Sequence, residues 1–411
     1  MLAEAIVGPL RDGRGRAIAS ALDPLVTSGA MFVVQGAVLL TASKIEFATF
    51  SLAYSYVVMG QAVLGALFGG PLVTLLASAA EAERTEMGAA TLRLQFAVAI
   101  VLGTAGVAVA IALGLPAGVS ALAAAGMIGL SFRDALRNVL AAALRLEQAL
   151  ALAIAFTAVT LAALAAAWLV RGRVGAELAL TALAFGALIA VAPSALRALA
   201  RRAAMPRAAF RRLTAMAAWS LPGVAVIWLQ NSFYLTLVTV NLSLGAAGEV
   251  SAARMVAMPV LIVSSGLLRL AQVQATRRLA DQPRTTVVGR ARGLALACLA
   301  AGALAGAACW IADRAIDRTL LPDGFPHLVA LAGAWLAFAA ASTARGLYSS
   351  LYQAMGRYRE IFVLNLVVLP FVLAGVVFAP LALGLVGAVL PMALGEVALL
   401  ALLAARAARP A

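Results

Sequence analysis

The chain has 411 residues, 64% of them hydrophobic and 12% charged, with a mean hydropathy of +1.02 and a formal net charge of +14. No water-soluble domain has that balance, so the chain is read as a polytopic membrane protein. The one lysine, in Ser43-Lys44-Ile45-Glu46, excludes a Gly-Lys-Ser/Thr phosphate loop, and the one histidine, His327, has no His or Cys neighbour that would make a metal cluster.

Hydropathy places twelve spans at about 17–42, 46–77, 91–113, 117–143, 148–170, 175–197, 214–241, 249–275, 290–312, 327–353, 359–380 and 382–405. Arg11, Arg14 and Arg16 precede the first run, which carries no short apolar region with a cleavage site and is read as a retained span. The connectors alternate in charge. One side receives 21 basic residues and the other 5, namely Lys44, Arg171, Arg173, Arg314 and Arg318. That is the positive-inside pattern, which predicts both termini in the cytoplasm and accounts for the basic excess without a nucleic-acid partner.

The polar residues inside the spans are few. Span 2 carries Tyr54 and Gln61. Span 4 carries Arg133 and Arg137 one turn apart, with Asp134 and Asn138 on the flank, and the i,i+3 spacing pairs Asp134 with Arg137. Span 7 carries Gln230, Asn231 and Tyr234. Asp23, Glu46 and Glu249 fall near span ends, where a carboxylate serves a helix N-terminus. Cys298 and Cys309 are 11 residues apart on predicted span 9, about 16 Å along a helix and too far to pair within it.

Span 8 is the most informative. Arg254 and Arg269 are 15 positions apart, about 60° around a helix. Ser251, Met258, Ser265, Gln272 and Thr276 share their sector, while Leu267 and Leu270 fall outside it. A charge at this depth costs roughly 2.5–3.5 kcal/mol on insertion scales, so a polar stripe predicts a partner helix or a watery cavity. Snorkelling of either arginine to an interface is the plainer reading. Span 10 adds Arg345, with Ser342, Tyr348, Ser349 and Tyr352 within about 60° of it.

The basic connector at 197–212 divides the spans six and six, which predicts an N-terminal lobe 1–205 and a C-terminal lobe 206–411. Arg133 and Arg345, Arg145 and Arg357, and Gly175-Ala176 and Gly387-Ala388 recur at an offset of 212. The expected fold is all-α, with twelve transmembrane helices in two six-helix lobes related by pseudo-two-fold symmetry about the membrane normal. Five intramembrane arginines, 133, 137, 254, 269 and 345, outnumber the carboxylates and predict an anionic substrate, because arginine grips phosphate in bidentate fashion and keeps its charge.

The runs Glu46-Phe47-Ala48-Thr49-Phe50-Ser51-Leu52-Ala53-Tyr54, Gly248-Glu249-Val250-Ser251-Ala252-Ala253-Arg254, and Arg345 with Tyr352-Gln353-Ala354-Met355-Gly356-Arg357 resemble polysaccharide repeat-unit flippases. These are the Wzx-type members of the multidrug/oligosaccharidyl-lipid/polysaccharide exporter superfamily. Many members have a Gly before the Glu of span 2, where this chain has Lys44-Ile45. The resemblance implies a non-enzymatic, cofactor-free flippase of the cell inner membrane, serving lipopolysaccharide or exopolysaccharide assembly. It would move an undecaprenyl-pyrophosphate-linked oligosaccharide by alternating access, driven by a proton or sodium gradient.

On this reading Arg254, Arg269 and Arg345 hold the pyrophosphate, Gln272 and Tyr352 line the same stripes, and Arg133 or Arg137 lines the other lobe. A cation-coupled multidrug exporter would want a buried carboxylate, for which Asp23 is the candidate. A membrane polymerase or ligase would want an acidic loop outside the bilayer, and the longest such segment, Asp313–Pro326, holds Asp313, Asp317 and Asp323. A scaffold would tolerate loss of the arginines.

Overall fold

The computed structural model describes residues 13–69, 71–72, 75–76, 81–143, 145–200, 205–315, 325–355 and 357–407. Asp317, Asp323, Arg11, Arg201, Arg202, Arg318, Gly356 and Arg409 lie outside these residues. Among the described residues, twelve segments are long and apolar enough to cross a membrane. Their helices are Gly13–Thr41 (span 1), Lys44–Leu64 continued by a π turn to Gly69 (span 2), Glu81–Ala112 (3), Ala117–Ala142 (4), Leu146–Arg171 (5) and Ala176–Ala200 (6). Arg207–Asn231 with Tyr234–Asn241 form span 7, followed by Leu244–Asp281 (8), Arg284–Ala315 (9), Leu328–Ala354 (10), Tyr358–Leu383 (11) and Leu390–Ala407 (12). No strand occurs among the described residues, as lipid demands of a chain that must satisfy its backbone polar groups within each spanning segment.

Local chemistry sets the ends. Ser43 opens span 2 as the N-cap of a capping box closed by Glu46, which satisfies two orphan N–H groups at once. Span 5 stops at Gly172, whose left-handed φ of 67° lets its N–H close on the Trp168 carbonyl. Span 7 is broken at Ser232-Phe233, whose N–H groups both reach back to the Trp228 carbonyl. Span 11 runs through Pro370 and Pro380 to Gly384, so the expected stop at residue 380 is displaced by three residues. The corner to span 12 is tight. A Cβ on Gly387 would lie 2.5 Å from the Ala379 carbonyl carbon, so only glycine fits.

The chain divides into two compact units, Met1–Ala225 and Val226–Ala411. In the first, span 4 packs against spans 2, 3 and 6, span 6 also takes span 5, and span 5 takes span 1. In the second, span 10 packs against spans 8, 9 and 12, span 12 takes span 11, and span 11 takes the second helix of span 7. The adjacency is therefore the same in both units after a shift of six spans. Spans 4 and 10 are the hubs, with 67% and 56% of their apolar windows buried, against 11% for span 9.

Small residues bring the hub close to its neighbour in the second unit. Gly302 and Gly306 of span 9 face Ala340 and Gly333 of span 10, and Cys309 packs on Gly333. Close approach through small side chains is how helices gain packing energy where lipid removes the hydrophobic drive. In the first unit Leu64, Phe68, Leu72, Leu75, Leu76, Met87 and Ala99 form an apolar cluster that also takes Leu213 from the start of span 7.

Candidate substrate site

In the second unit, Arg254 of span 8 sits against two aromatic faces. Its guanidinium carbon is 5.3 Å from the Trp335 ring centroid and 5.9 Å from that of Tyr234. Both rings are buried and meet edge to face at 5.2 Å. Trp335 is fixed in turn by its Nε1–H donating to the Val250 carbonyl at 2.9 Å. Such cation–π contacts are worth roughly 0.5–2 kcal/mol each and orient the cation without neutralising it. The Nε of Arg254 is buried without a hydrogen-bond partner. Among the described residues no carboxylate lies within ion-pair distance of Arg254.

Arg133, Arg137 and Arg345 are neutralised. Arg345 of span 10 donates from Nε and Nη2 to the two carboxylate oxygens of Glu396 on span 12, and from Nη1 to the Ser349 hydroxyl at 3.4 Å. Glu396 is 4% exposed. Tyr352, two turns on, is fully buried and donates its hydroxyl proton to the Leu403 carbonyl at 3.0 Å, a second tie between spans 10 and 12. In the first unit, Arg133 donates to Asp134 at 2.9 Å and lies 4.4 Å over the Phe156 ring. Gln61 of span 2 donates to the other Asp134 oxygen at 3.0 Å. Arg137 pairs with Asp23 of span 1 at 3.4 Å.

Three expectations change. Asp134 takes Arg133 and Gln61 rather than Arg137, because Asp23 approaches Arg137 from a helix more than a hundred residues away. Asp23 is consequently an ion-pair partner inside span 1, not a charge at a helix start. Glu249 is 2% exposed and accepts from the His327 backbone N–H, with the His327 ring Nδ1 at 3.3 Å. It joins spans 8 and 10 instead of capping span 8, whose N-cap is Ser243.

Arg254, Arg345 and Tyr352 thus share one unit, and Arg133 and Arg137 the other. Arg269 and Gln272 are carried by the span 8 helix, but their side chains lie outside the described residues. On the Arg254 stripe Ser251 is buried, and Leu267, assigned to lipid, is exposed. Sequence reasoning missed Glu396 and Trp335. Glu396 had a signal: it is the one acidic residue between Glu360 and the C-terminus, and an intramembrane carboxylate calls for a partner. Trp335 had none, since an aromatic residue at helical spacing reads as packing.

No protein-family model and no curated protein sequence matches the chain. Solved structures do. The lipid II flippase MurJ in an inward closed conformation superposes with a TM-score of 0.72 at 10% identity, over 94% of this chain and 86% of that one. The inward-facing conformation of a multidrug resistance MATE family transporter of the MOP superfamily gives 0.66 at 12% identity, over 95% and 93%. The fold is MATE- and MurJ-like. A MOP superfamily transporter from Pyrococcus furiosus, whose binding pocket has reversed polarity, gives 0.61 at 12% identity, over 98% and 96%. These folds belong to transporters and a flippase rather than to enzymes.

Proposed function

We propose that the protein is a flippase, moving an undecaprenyl-pyrophosphate-linked oligosaccharide across the inner membrane by alternating access, with a proton or sodium gradient as the energy source. The carrying observation is Arg254, which, unlike Arg133, Arg137 and Arg345, is held by aromatic faces instead of a carboxylate. An uncompensated guanidinium inside a membrane protein is costly unless an anion visits it. A lipid-linked pyrophosphate supplies the anion and the membrane location together, and the likeness of the fold to that of a lipid II flippase favours this reading.

Arg269, 15 residues further along the same stripe of span 8, is assigned as a second contact for the same substrate. Arg345, Arg133 and Arg137 are reassigned from ligands to partners of Glu396, Asp134 and Asp23.

The test is polymer output in cells, with membrane abundance measured alongside. Arg254→Gln at normal abundance should cut output about 10–100-fold, the loss of one charge-assisted contact of roughly 1.5–3 kcal/mol. Arg254→Lys should lose less, since it keeps the charge but not the fork. Normal output from Arg254→Gln and from Arg254→Gln/Arg269→Gln together would overturn the anionic substrate. The MATE-like neighbours favour a second reading, a multidrug exporter. Its mark would be drug resistance that needs Asp23 and tolerates Arg254→Gln.

A further inference from the structure

At the opposite face of the second unit, three arginines surround a cavity of about 350 Å³. Arg357 follows the end of span 10, Arg359 lies in the first turn of span 11, and Arg406 lies in the last turn of span 12. Glu360 and Val363 complete the wall. Arg357 is the anchored member, paired with Glu360 three residues on and lying 5.7 Å over the Tyr352 ring. Among the described residues neither Arg359 nor Arg406 has a carboxylate within ion-pair distance. Three guanidinium groups and one carboxylate leave two positive charges facing the cavity.

The cavity continues into an apolar face. Val363, which lines it, begins a series with Val367, Phe371 and Phe378 on span 11. At 100° per residue these four fall within about 80° of one another. All are exposed, Phe371 at 75%. Because Arg359 stands in the first turn of a spanning helix, the basic cavity lies at the water–lipid boundary and the apolar series runs from it into the hydrocarbon.

We propose that this cavity binds the headgroup of an anionic phospholipid of the bilayer, with the acyl chains along Val363, Val367, Phe371 and Phe378. Arg359 and Arg406 contact the phosphate, and Glu360 holds Arg357 at the rim. The balance of two charges fits a lipid with two phosphates better than one with a single phosphate. Basic pockets between spanning helices are the usual place for such headgroups, and the guanidinium fork matches a phosphate edge. The site is independent of the substrate assignment, since it shares no residue with the Arg254 stripe.

The experiment is native mass spectrometry of the full-length protein, exchanged into detergent and incubated with equal amounts of diphosphatidylglycerol, phosphatidylglycerol and phosphatidylcholine. Retention should follow that order, with at least a tenfold excess of the first over the last. Arg359→Gln/Arg406→Gln should lower diphosphatidylglycerol retention by about 100-fold, tenfold for each lost contact. Arg145→Gln, on the same predicted side but outside the cavity, should leave it unchanged. Thermal unfolding without added lipid checks that the variants fold, and the wild-type lipid order stands as a test even where a variant does not.

Equal retention of phosphatidylcholine would overturn the proposal, as would unchanged retention in the double variant. Two further arms separate the sources of phosphate. Displacement of the lipid by millimolar inorganic phosphate would make this a free-anion site, and preferential retention of a polyprenyl pyrophosphate would make it part of the substrate path. Either result would overturn a bilayer-lipid site.

Discussion

The Arg345–Glu396 pair separates two meanings of an intramembrane arginine. Arg254 is held by ring faces, which leave its charge available; Arg345 is held by a buried carboxylate, which does not. The variants should differ accordingly. Arg345→Gln strands Glu396 as a buried unpaired charge, a change that typically costs about 3–5 kcal/mol. Its expected signature is low membrane abundance and early thermal unfolding, not a folded protein with weak substrate binding. Replacing both partners, as Arg345→Met/Glu396→Leu, should restore abundance, because removing a buried pair together is often neutral. If Arg345→Gln accumulates normally and unfolds at the wild-type temperature, the pair is not what joins spans 10 and 12.

At the scale of the helix, packing in the second unit rests on how near spans 9 and 10 can come. A Cβ added at Gly302 would lie 2.2 Å from the Ala340 Cβ and 3.7 Å from the Ala340 Cα, so the whole helix must yield. Overpacking of this kind costs about 1–3 kcal/mol. Gly302→Ala should therefore lower the unfolding temperature in detergent, and Gly302→Ala/Ala340→Gly should recover most of the loss. Unchanged stability in Gly302→Ala would mean that spans 9 and 10 are held elsewhere. Span 9 has little else buried: Val287, Ala295 and Gly302 are the buried positions described on it. The long apolar run that identifies it as a span is for the most part not buried.

For the whole molecule, the charge asymmetry of the connectors predicts an orientation. With 21 basic residues on one side and 5 on the other, a reporter fused after Arg212 should read cytoplasmic and one fused after Gly245 periplasmic. The apolar part of span 7, residues 214–241, lies between those points, so the same side at both would remove it from the membrane, and the reverse order would invert the protein. The repeat of helix adjacency between spans 1–6 and 7–12 is consistent with this arrangement, since an even number of crossings leaves each unit starting on the same side.

Hydropathy alone determined the class and the twelve spans, because a bilayer requires about 20 apolar residues per helix whatever surrounds them. The 212-residue offset that links Arg133 to Arg345 paired span 4 with span 10, and the packing made both of them hubs. Span ends were legible where a local cap sets them, as at Ser43 and Glu46, and less so near Pro380, which the helix passes through to Gly384. The charge balance of the site was not legible. The excess of arginine counted along single helices dissolves when Asp23 meets Arg137 and Glu396 meets Arg345. Those partners are separated by 114 and 51 residues, and helix periodicity reports only which face a residue shares with its own helix. Which helices lie side by side, and therefore which arginine keeps its charge, was decided by tertiary packing.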